Sequence, residues 1–448
     1  MSINHFSYHK ITFTTLTLLA LFTPYITCER LFVFEHFQHG ARSPLKGVNP
    51  TTNKDLLNEE WNADGELTPS GLRMHYLLGT INQKKYSDFI SFPPNLNELL
   101  VYSTDSNRTI MSVYAHLQGM FNNTEEKLSD EQVAKANVIL ENSTNREQLE
   151  IESANMNYSV IKNNRVLFPV SILDNNKKEF LLHDTHVCPG IEKYKKQMLN
   201  SKEGKSFIKK IAQNLNNTYG DDLFRYFKYS DKDYYFERDN YYTLLDTFIS
   251  DHIDNRELNE FPFKGNETFY SYSEMVMNSS LYDLEMKTED DVIIHMGMSP
   301  TFRKIIDWMV KRKELAENGT PNLIESSSPK MVIYSGDENT VGLMALFVKK
   351  VFGVNVGQLK FATNQYFELH KENDNYVVKY IFNDDEKLSV PFDEFTNKIE
   401  KVLWSQEKIN DFCDINKETN PWEIIMWVML VVVICLTAAF IYLKRKFK

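Results

Sequence analysis

The sequence predicts an α/β fold, with a mostly parallel, doubly wound sheet as the core and an inserted, mainly helical cap domain. Three segments support this, because each runs from a short apolar stretch through a polar loop into an amphipathic stretch. They are residues 30–81, 98–121 and 329–353. Ligands of such sheets bind at the loops that follow the strands. The polar residues of these three loops are therefore candidates for a functional site.

The first segment opens with RLFVFEHF at residues 30–37, an apolar run that predicts a strand. A loop bearing Gly and Pro follows and carries Gln38, His39 and Arg42. Residues 67–81 then predict a helix capped by Thr68 or Ser70. We expect its buried face to hold Leu72, Tyr76 and Gly79.

The second and third segments repeat this arrangement. Residues 99–102 predict a strand that ends at Tyr102, and Asp105 or Ser106 can cap the next helix. Its expected buried stripe consists of Ile110, Val113, Tyr114, Leu117 and Phe121. Residues 331–334 predict a third strand, which leads through Gly336 and Asp337 into a helix that stops at Gly353.

These segments define the expected domains. The core would consist of residues 29–121 and 291–404, interrupted by a polar, mainly helical cap at residues 122–290. Residues 366–395 predict strands joined by a polar turn at 372–375, and residues 393–404 predict a closing helix. Residues 405–422 would form a polar connector.

Composition restricts the class of protein. The chain has 448 residues, of which 42% are hydrophobic and 13% aromatic, so it can bury a sizeable core. Its formal net charge is −11. A nucleic-acid-binding protein would carry a basic stripe, so the charge argues against that class of partner.

The two ends of the chain predict its topology. Residues 1–28 are typical of a secretory signal peptide, with an uncleaved N-terminal anchor as the alternative. Residues 423–443 contain twenty consecutive uncharged residues, enough to span a bilayer, with a buried core helix as the alternative. The basic tail at residues 444–448 would be cytoplasmic. We therefore expect a type I membrane protein whose bulk lies in a secretory or lysosome-like lumen or outside the cell.

Cysteines and sequons agree with this topology. Cys28 falls at the expected cleavage site and Cys435 in the membrane segment, which leaves Cys188 and Cys413 as the pair available for one disulfide. Two free buried thiols are the alternative. No cysteine spacing resembles a zinc site, so neither a metal nor a cofactor is expected. N-glycosylation sequons begin at Asn107, Asn122, Asn142, Asn157, Asn216, Asn266, Asn278 and Asn318.

Four motifs occur in the order found in the histidine acid phosphatases. HGARSP resembles the family signature R-H-G-x-R-x-P, and LTPSGLRMHYLLG is similar to its L-T-x-x-G helix. YSTDSNRTIMS resembles R-S-T-D-x-x-R-T-x-x-S, and VIYSGDENTVGLMALF resembles the Y-S-A-H-D-T-T segment. The resemblance implies a two-domain α/β fold with a helical cap above the catalytic loops. Relatives often pair through the core domain, so a homodimer is compatible with it.

The resemblance also implies a mechanism. In the family a neutral histidine attacks phosphorus, arginines and a second histidine hold the phosphoryl oxygens, and an aspartic acid protonates the leaving oxygen. His39 stands at the nucleophile position, Asp337 at the proton-donor position and Arg42 at the second arginine of the signature. The chemistry is sensible in itself, because phosphoryl transfer needs mainly positioning and charge stabilisation, which guanidinium groups supply well.

This sequence departs from the family pattern at three positions. Gln38 replaces the first arginine of the signature, Tyr102 replaces the arginine before S-T-D, and Gly336 replaces the histidine before the aspartate. The later arginine of the second motif is kept as Arg108, to which the resemblance assigns a structural role. His36, Arg108 and Lys46 are candidate substitutes by position in the sequence alone.

Three interpretations therefore remain open. The chain is a weakened phosphatase for a phosphomonoester, an inactive pseudophosphatase that binds an anion or a partner protein, or a purely structural ectodomain. Loss of one preorganised donor typically lowers an enzyme's rate by about 10² to 10³. Losses within one working unit do not simply multiply, so an active protein would be slower than its relatives by several powers of ten.

Overall fold

The computed structural model describes most of the region between the two apolar ends of the chain. The described residues are 28–45, 64–92, 95–122, 127–136, 146–156, 158, 167–173, 188–227, 238–257, 261–286, 291–325, 327–413, 426, 429–434 and 437. The predicted signal peptide, apart from Cys28, and the candidate substitute Lys46 lie outside them, as do most of residues 423–448.

One sheet organises the core. Within the described residues it has seven strands: β1 (Cys28–Gln38), β2 (Leu99–Thr104), β3 (Ser171–Leu173), β4 (Met331–Gly336), β5 (Asn364–Glu372), β6 (Asn375–Phe382) and β7 (Asp385–Pro391). Their order is β3-β2-β4-β1-β5-β6-β7. The pairs β3/β2, β2/β4 and β4/β1 are parallel, whereas β5, β6 and β7 extend the sheet as an antiparallel meander.

The described helices alternate with these strands or cluster between them. They are α1 (Pro69–Tyr86), α2 (Asn107–Met120), α3 (Asp130–Ala136), α4 (Arg146–Met156), α5 (Pro189–Asn200), α6 (Lys202–Phe227), α7 (Arg238–Ile253), α8 (Glu267–Met286), α9 (Val292–Glu317), α10 (Glu338–Phe352), α11 (Phe392–Glu400) and α12 (Gln406–Phe412). Thr68 caps α1 by accepting a hydrogen bond from Gly71 N, and α10 ends at Gly353, which adopts φ 71°. Both termini agree with the sequence prediction.

Helices cover both faces of the sheet, which confirms the predicted α/β class. Alternate residues of β1 point into two separate clusters of buried side chains. Phe32 and Phe34 join a cluster with α9, α10 and α11. Val33 and Phe37 join a second cluster with α1 and α2. A strand buried on both faces is apolar on both, and this explains the run from Leu31 to Phe34 in β1. The buried Glu35 and His36 that follow are hydrogen-bonded to Asn82 and Thr340.

The predicted buried faces of α1 and α2 are partly wrong. Tyr76 and Tyr114 are exposed by 40% and 41%, whereas the buried positions include His75, Asn82 and His116. The reason is the close approach of the two helices. A Cβ atom at Gly79 would lie 2.0 Å from the carbonyl oxygen of His116, so only glycine permits this contact. The helices are thereby rotated so that a polar stripe faces inwards.

The range predicted as the cap, residues 122–290, contains α3 to α8 and has a hydrophobic cluster of its own between α6, α7 and α8. It also contains β3, which pairs with β2 and extends the core sheet. The sequence did not predict this strand.

A disulfide joins the cap range to the end of the core, as predicted. Cys188, which precedes α5, is bonded to Cys413, which follows α12. The predicted connector at residues 405–422 is correspondingly shorter than expected, because α12 packs against the core through the buried Ile409.

The predicted transmembrane segment is described only in part. Residues 429–434 are helical and expose apolar side chains. Across the described ranges, no helix combines the length and the apolar character needed to cross a membrane.

Candidate active site

The carboxyl ends of β1 and β4 bring four of the predicted site residues together. Gln38 pairs with Gly336 in the parallel register of the two strands, and the amide of His39 donates to the carbonyl oxygen of Gly336 at 3.0 Å. His39 and Asp337 each follow one of these strands directly. The strand register therefore places residues 39 and 337 at the same edge of the sheet, on neighbouring strands.

His39 is held as a neutral base. Its ring is buried, and Nδ1 donates to the carbonyl oxygen of Gly40 at 2.8 Å. Because that bond places the proton on Nδ1, the lone pair lies on Nε2. Burial, together with the guanidinium groups of Arg42 and Arg108, holds the pKa of His39 well below its usual value. These effects favour the neutral imidazole.

The loop that carries His39 is held by hydrogen bonds to helices α1 and α2. The amide of Gly40 donates to Ser112 Oγ at 3.1 Å, and His75 Nε2 donates to the carbonyl oxygen of Gln38 at 3.0 Å. Gly40 also lies so close to Gly71 that an added Cβ would come within 2.3 Å of its carbonyl oxygen. These contacts preorganise the loop against α1 and α2.

Arg42 is fully buried and already paired with carboxylates. Its Nη2 lies 3.0 Å from Asp246 Oδ1 and 3.4 Å from Glu338 Oε2, and its Nη1 donates to Asp246 Oδ2 at 3.2 Å. Burial alone would lower the pKa of Arg42, but the charges of Asp246 and Glu338 raise it. The guanidinium Nε is buried without a hydrogen-bond partner. Asp246 lies on α7, so this ion pair connects the cap to the loop that follows β1.

The second motif contributes Arg108 to the site, and this corrects our assignment of Tyr102. Tyr102 lies within the sheet, opposite Tyr334 of β4, and packs against the first core cluster. Arg108, at the start of α2, is near enough to depress the pKa of His39, after burial and Arg42. Its Nε is buried without a hydrogen-bond partner. Only Gln38 and Gly336 therefore remain as altered positions close to the imidazole.

The space beside Gly336 is filled by other side chains. A Cβ at this position would lie 2.1 Å from Thr340 Oγ1 and 2.8 Å from His36 Nε2. His36 Nε2 and Thr340 Oγ1 are themselves hydrogen-bonded at 3.1 Å. The His36 ring is fully buried and contacts Gln365 and Met344. His36 therefore belongs to the core, and it occupies part of the volume that a side chain at position 336 would need.

Two adjacent carboxyl groups begin α10. Asp337 caps the helix, with Oδ1 accepting from the amide of Thr340 at 3.0 Å. Glu338 extends towards Arg42 with a quarter of its side chain exposed. Burial raises the pKa of Glu338, and the charges of Asp246 and Asp337 raise it against the opposing effect of Arg42. The sequence indicated Asp337 but not Glu338, although the two are neighbours.

A pocket lies between these strand ends and the cap. It contains about 530 Å³ of empty space, part of which is open to solvent. The core contributes Gln38, Arg42, Glu338, Leu359, Lys360 and Phe361, and the cap contributes Tyr242, Asp246, Ile249, Glu274 and Met277. Sequence reasoning missed every cap residue of this set. A polar helical stretch gives no sign of which carboxylate will reach a loop two hundred residues away.

The charges of the pocket are unusual for an anion site. Its lining has three carboxylates against two cations, and both cations are paired: Arg42 as described, and Lys360 with Glu274 at 2.8 Å. Gln38 is 4% exposed and its Oε1 is buried without a hydrogen-bond partner. Throughout the part of the chain that is described, no group of three His, Cys, Asp or Glu side chains could hold a metal ion.

Residues 35–383 match the family model described as histidine phosphatase superfamily, branch 2. The match spans more than half of the chain and includes the carboxyl ends of β1 and β4. The chain belongs to this superfamily. The matched range includes His39 and Arg42, the residues after β1 that carry the resemblance to the family signature.

Relatives within this superfamily share short stretches of the sequence. The chain is 39% identical over 92 residues to lysosomal acid phosphatase of Homo sapiens, a match that covers 20% of this chain and 21% of that one. It is 34% identical over 94 residues to prostatic acid phosphatase of Bos taurus, covering 21% and 24%. Each match thus spans less than a quarter of the relative's length.

Solved phytase structures share the fold over almost their whole length. The phytase of Klebsiella sp. ASR1 gives a TM-score of 0.54 at 10% identity and covers 84% of this chain and 97% of that one. The Citrobacter braakii phytase gives 0.53 at 11% identity, covering 84% and 98%. At these identities the likeness shows the histidine phosphatase fold alone.

Proposed function

We propose that this protein hydrolyses phosphomonoesters slowly, through a phosphohistidine on His39 with Asp337 as the proton donor. The observation that carries this is the state of His39: a buried, neutral imidazole whose Nε2 lone pair is free, close to the guanidinium groups of Arg42 and Arg108. Membership of a phosphatase superfamily supports the same class of reaction.

The reaction balances with these groups alone. The Nε2 lone pair of His39 forms a bond to phosphorus as the bond from phosphorus to the ester oxygen breaks. The leaving oxygen takes the proton of the Asp337 carboxylic acid. Water then attacks the phosphohistidine and gives a proton to the Asp337 carboxylate. The N–P bond breaks, which releases inorganic phosphate and restores the neutral imidazole.

Charge stabilisation would come from fewer groups than the family pattern supplies. Arg42 and Arg108 carry the positive charge near the phosphoryl oxygens, and Gln38 can donate one hydrogen bond without a charge. Gly336 contributes no side chain. Each missing donor typically costs about 10² to 10³ in rate, and the two losses need not multiply.

A second candidate is binding of an anion or a partner without turnover. The favouring observation is the engagement of Arg42 by Asp246 and Glu338, since an incoming phosphate must compete with two carboxylates for the same donors. In this alternative, phosphate binds and no ester is cleaved.

Assay of the purified protein decides between the two. We expect hydrolysis of p-nitrophenyl phosphate between about pH 4 and 6, where a carboxylic acid can still donate, and loss of that activity in His39→Ala. His295→Ala, a half-buried histidine of α9, is the matched control and should retain activity. Saturable phosphate binding that weakens in Arg42→Ala, with no turnover that depends on His39, would instead establish the second candidate.

We further propose that the protein enters the secretory pathway and is held in a membrane by residues 423–443. A disulfide between Cys188 and Cys413 suits an oxidising compartment, and the apolar side chains of residues 429–434 are exposed. Extraction of membranes with alkaline carbonate is the test. The full chain should stay with the membrane, and a variant truncated after residue 422 should be released.

A further inference from the structure

The pocket lined by Gln38 and Arg42, the neighbours of His39 in the loop after β1, has the chemistry of a receptor for a positively charged group. Three of its side chains are carboxylates: Asp246 and Glu274 from the cap, and Glu338 from the core. The two cations of the lining are both paired with these carboxylates. With all three carboxylates ionised the pocket has one excess negative charge, and the raised pKa of Glu338 means that this excess develops as the pH rises. A cleft of one sign attracts ligands of the opposite sign and repels ligands of its own.

Gln38 provides an independent sign of a ligand. Its side chain is 96% buried, lines the pocket, and leaves Oε1 without a hydrogen-bond partner. A buried acceptor left unpaired costs free energy that a ligand donor can recover. An ammonium group offers such donors together with the positive charge that the carboxylates favour. The same lining contains the rings of Tyr242 and Phe361. Aromatic faces favour cations, and the Arg42 guanidinium already lies 5.6 Å from the centroid of the Phe361 ring.

We infer that the preferred substrates are phosphomonoesters of amino alcohols, whose ammonium group lies in this pocket while the phosphate faces His39. This rests on the proposed function and names its substrate class. Gln38 is central to the inference, because an arginine at position 38 would add a charge to the pocket and remove the unpaired acceptor. Binding energy from the ammonium group can then position the phosphate despite the weaker hold on its oxygens.

The same charges exclude another class of substrate. A polyphosphorylated ester would place additional anions against Asp246, Glu274 and Glu338. Like charges brought together in a partly dry pocket are strongly unfavourable. Despite the shared fold, inositol hexakisphosphate should therefore be a poor substrate for this protein.

Comparison of kcat/KM for three esters tests the inference: phosphoethanolamine, glycerol 2-phosphate and inositol hexakisphosphate. We expect phosphoethanolamine to exceed glycerol 2-phosphate by about tenfold, and inositol hexakisphosphate to be the poorest. Glu274→Gln should lower the ratio of the first two by about threefold to tenfold. Glu192→Gln, an exposed carboxylate of α5, should leave it unchanged. A ratio of one or below in the unaltered protein, or preference for the hexakisphosphate, would overturn the inference.

Two further measurements complete the test. The first uses a long-chain amino alcohol phosphate in mixed micelles, and it shows whether the apolar side chains of Ile249, Met277 and Leu359 also bind a lipid chain. A higher kcat/KM for either ammonium ester than for glycerol 2-phosphate supports the inference. If no ester is cleaved, the proposed function fails. The second measurement, calorimetry of ligand binding, then tests the inference separately. Tighter binding of phosphoethanolamine than of glycerol 2-phosphate supports it, and equal binding refutes it.

Discussion

Arg42 and Asp246 form a buried ion pair that joins the catalytic loop to helix α7, with Nη2 and Oδ1 3.0 Å apart. Asp246 Oδ2 also accepts from the amide of Leu45 at 2.8 Å. The carboxylate therefore fixes both the Arg42 side chain and the backbone beyond it. In the proposed function it would stabilise the loop and compete with the phosphate for Arg42 at the same time.

Asp246→Asn should separate these two effects. The amide removes one negative charge next to Arg42, so we expect the Kd for inorganic phosphate to fall by about threefold to tenfold. Stability should decrease by about 1–3 kcal/mol, less than for a buried charge with no partner, because Glu338 remains beside Arg42. Calorimetry and urea unfolding measure the two quantities. Asp222→Asn, which alters an exposed pair with Arg225, should change neither. Weaker phosphate binding by Asp246→Asn would contradict the competition.

Gly336 should resist replacement by any residue with a Cβ. Gly336→Ala brings the new methyl group into contact with Thr340 Oγ1 and His36 Nε2, and overpacking of this kind costs about 1–3 kcal/mol. Thr340→Ala removes the nearer atom, so the double variant should lose less stability than the sum of the two single ones. Chemical denaturation of all three variants measures this coupling. If the losses of unfolding free energy were strictly additive, Thr340 would not be responsible for the cost of Gly336→Ala.

The pH profile should distinguish the two carboxyl groups that begin α10. The pKa of Glu338 is raised, by burial first, so Glu338 stays protonated to higher pH than an ordinary carboxyl group. Asp337→Asn should lower kcat by about 10² to 10⁴ if Asp337 is the donor. Glu338→Gln should instead move the alkaline limb of the profile and change KM. If Glu338→Gln lost more kcat than Asp337→Asn, the donor would be Glu338.

His75 should make the protein less stable in acid. Burial lowers the pKa of His75 from 6.5 to about 3, whereas the unfolded chain binds this proton at its ordinary pKa. The stabilisation is therefore complete above about pH 6.5 and is lost as the pH falls towards 3. At pH 4.5, two units below the ordinary pKa, the loss is on the order of 3 kcal/mol. The free energy of unfolding, measured against pH, should vary less steeply in His75→Gln. An equal slope in both proteins would mean that His75 does not contribute.

The strands and their functional loops could be predicted from the sequence because each depends on local pattern. β1 contains the apolar run from Leu31 to Phe34, and His39 follows the strand within a loop marked by Gly40 and Pro44. The end of α10 at Gly353 was equally predictable, since the left-handed backbone conformation that ends many helices favours glycine.

The inner faces of α1 and α2 could not be predicted from apolar spacing. The helices meet at Gly79 and Gly119, and the absence of side chains there brings the backbones together. This close contact of the helices places hydrogen-bonded polar side chains on their inner faces. Asn82 donates to both carboxylate oxygens of Glu35 at 2.8 Å and lies 3.2 Å from His116 Nε2. Hydrophobic periodicity assigns such residues to the surface.

The site itself needed tertiary structure. Tyr102 and Arg108 belong to the same motif, and only their positions in the fold show which one approaches His39. Asp246 reaches Arg42 from a helix more than two hundred residues away along the chain. A sequence motif identifies candidate site residues. The ion pair between Asp246 and Arg42 is found only in the structure, because α7 is distant from the motif in the sequence.

The covalent bond between Cys188 and Cys413 has a mechanical consequence. It binds the last described core residue before the C-terminal apolar segment directly to the start of helix α5. A pulling force applied at that end of the chain would reach helix α5 through the disulfide as well as the core through α12. Likewise, a single proteolytic cut anywhere between these two cysteines would leave both fragments attached, so a nicked molecule would separate on a gel only after reduction.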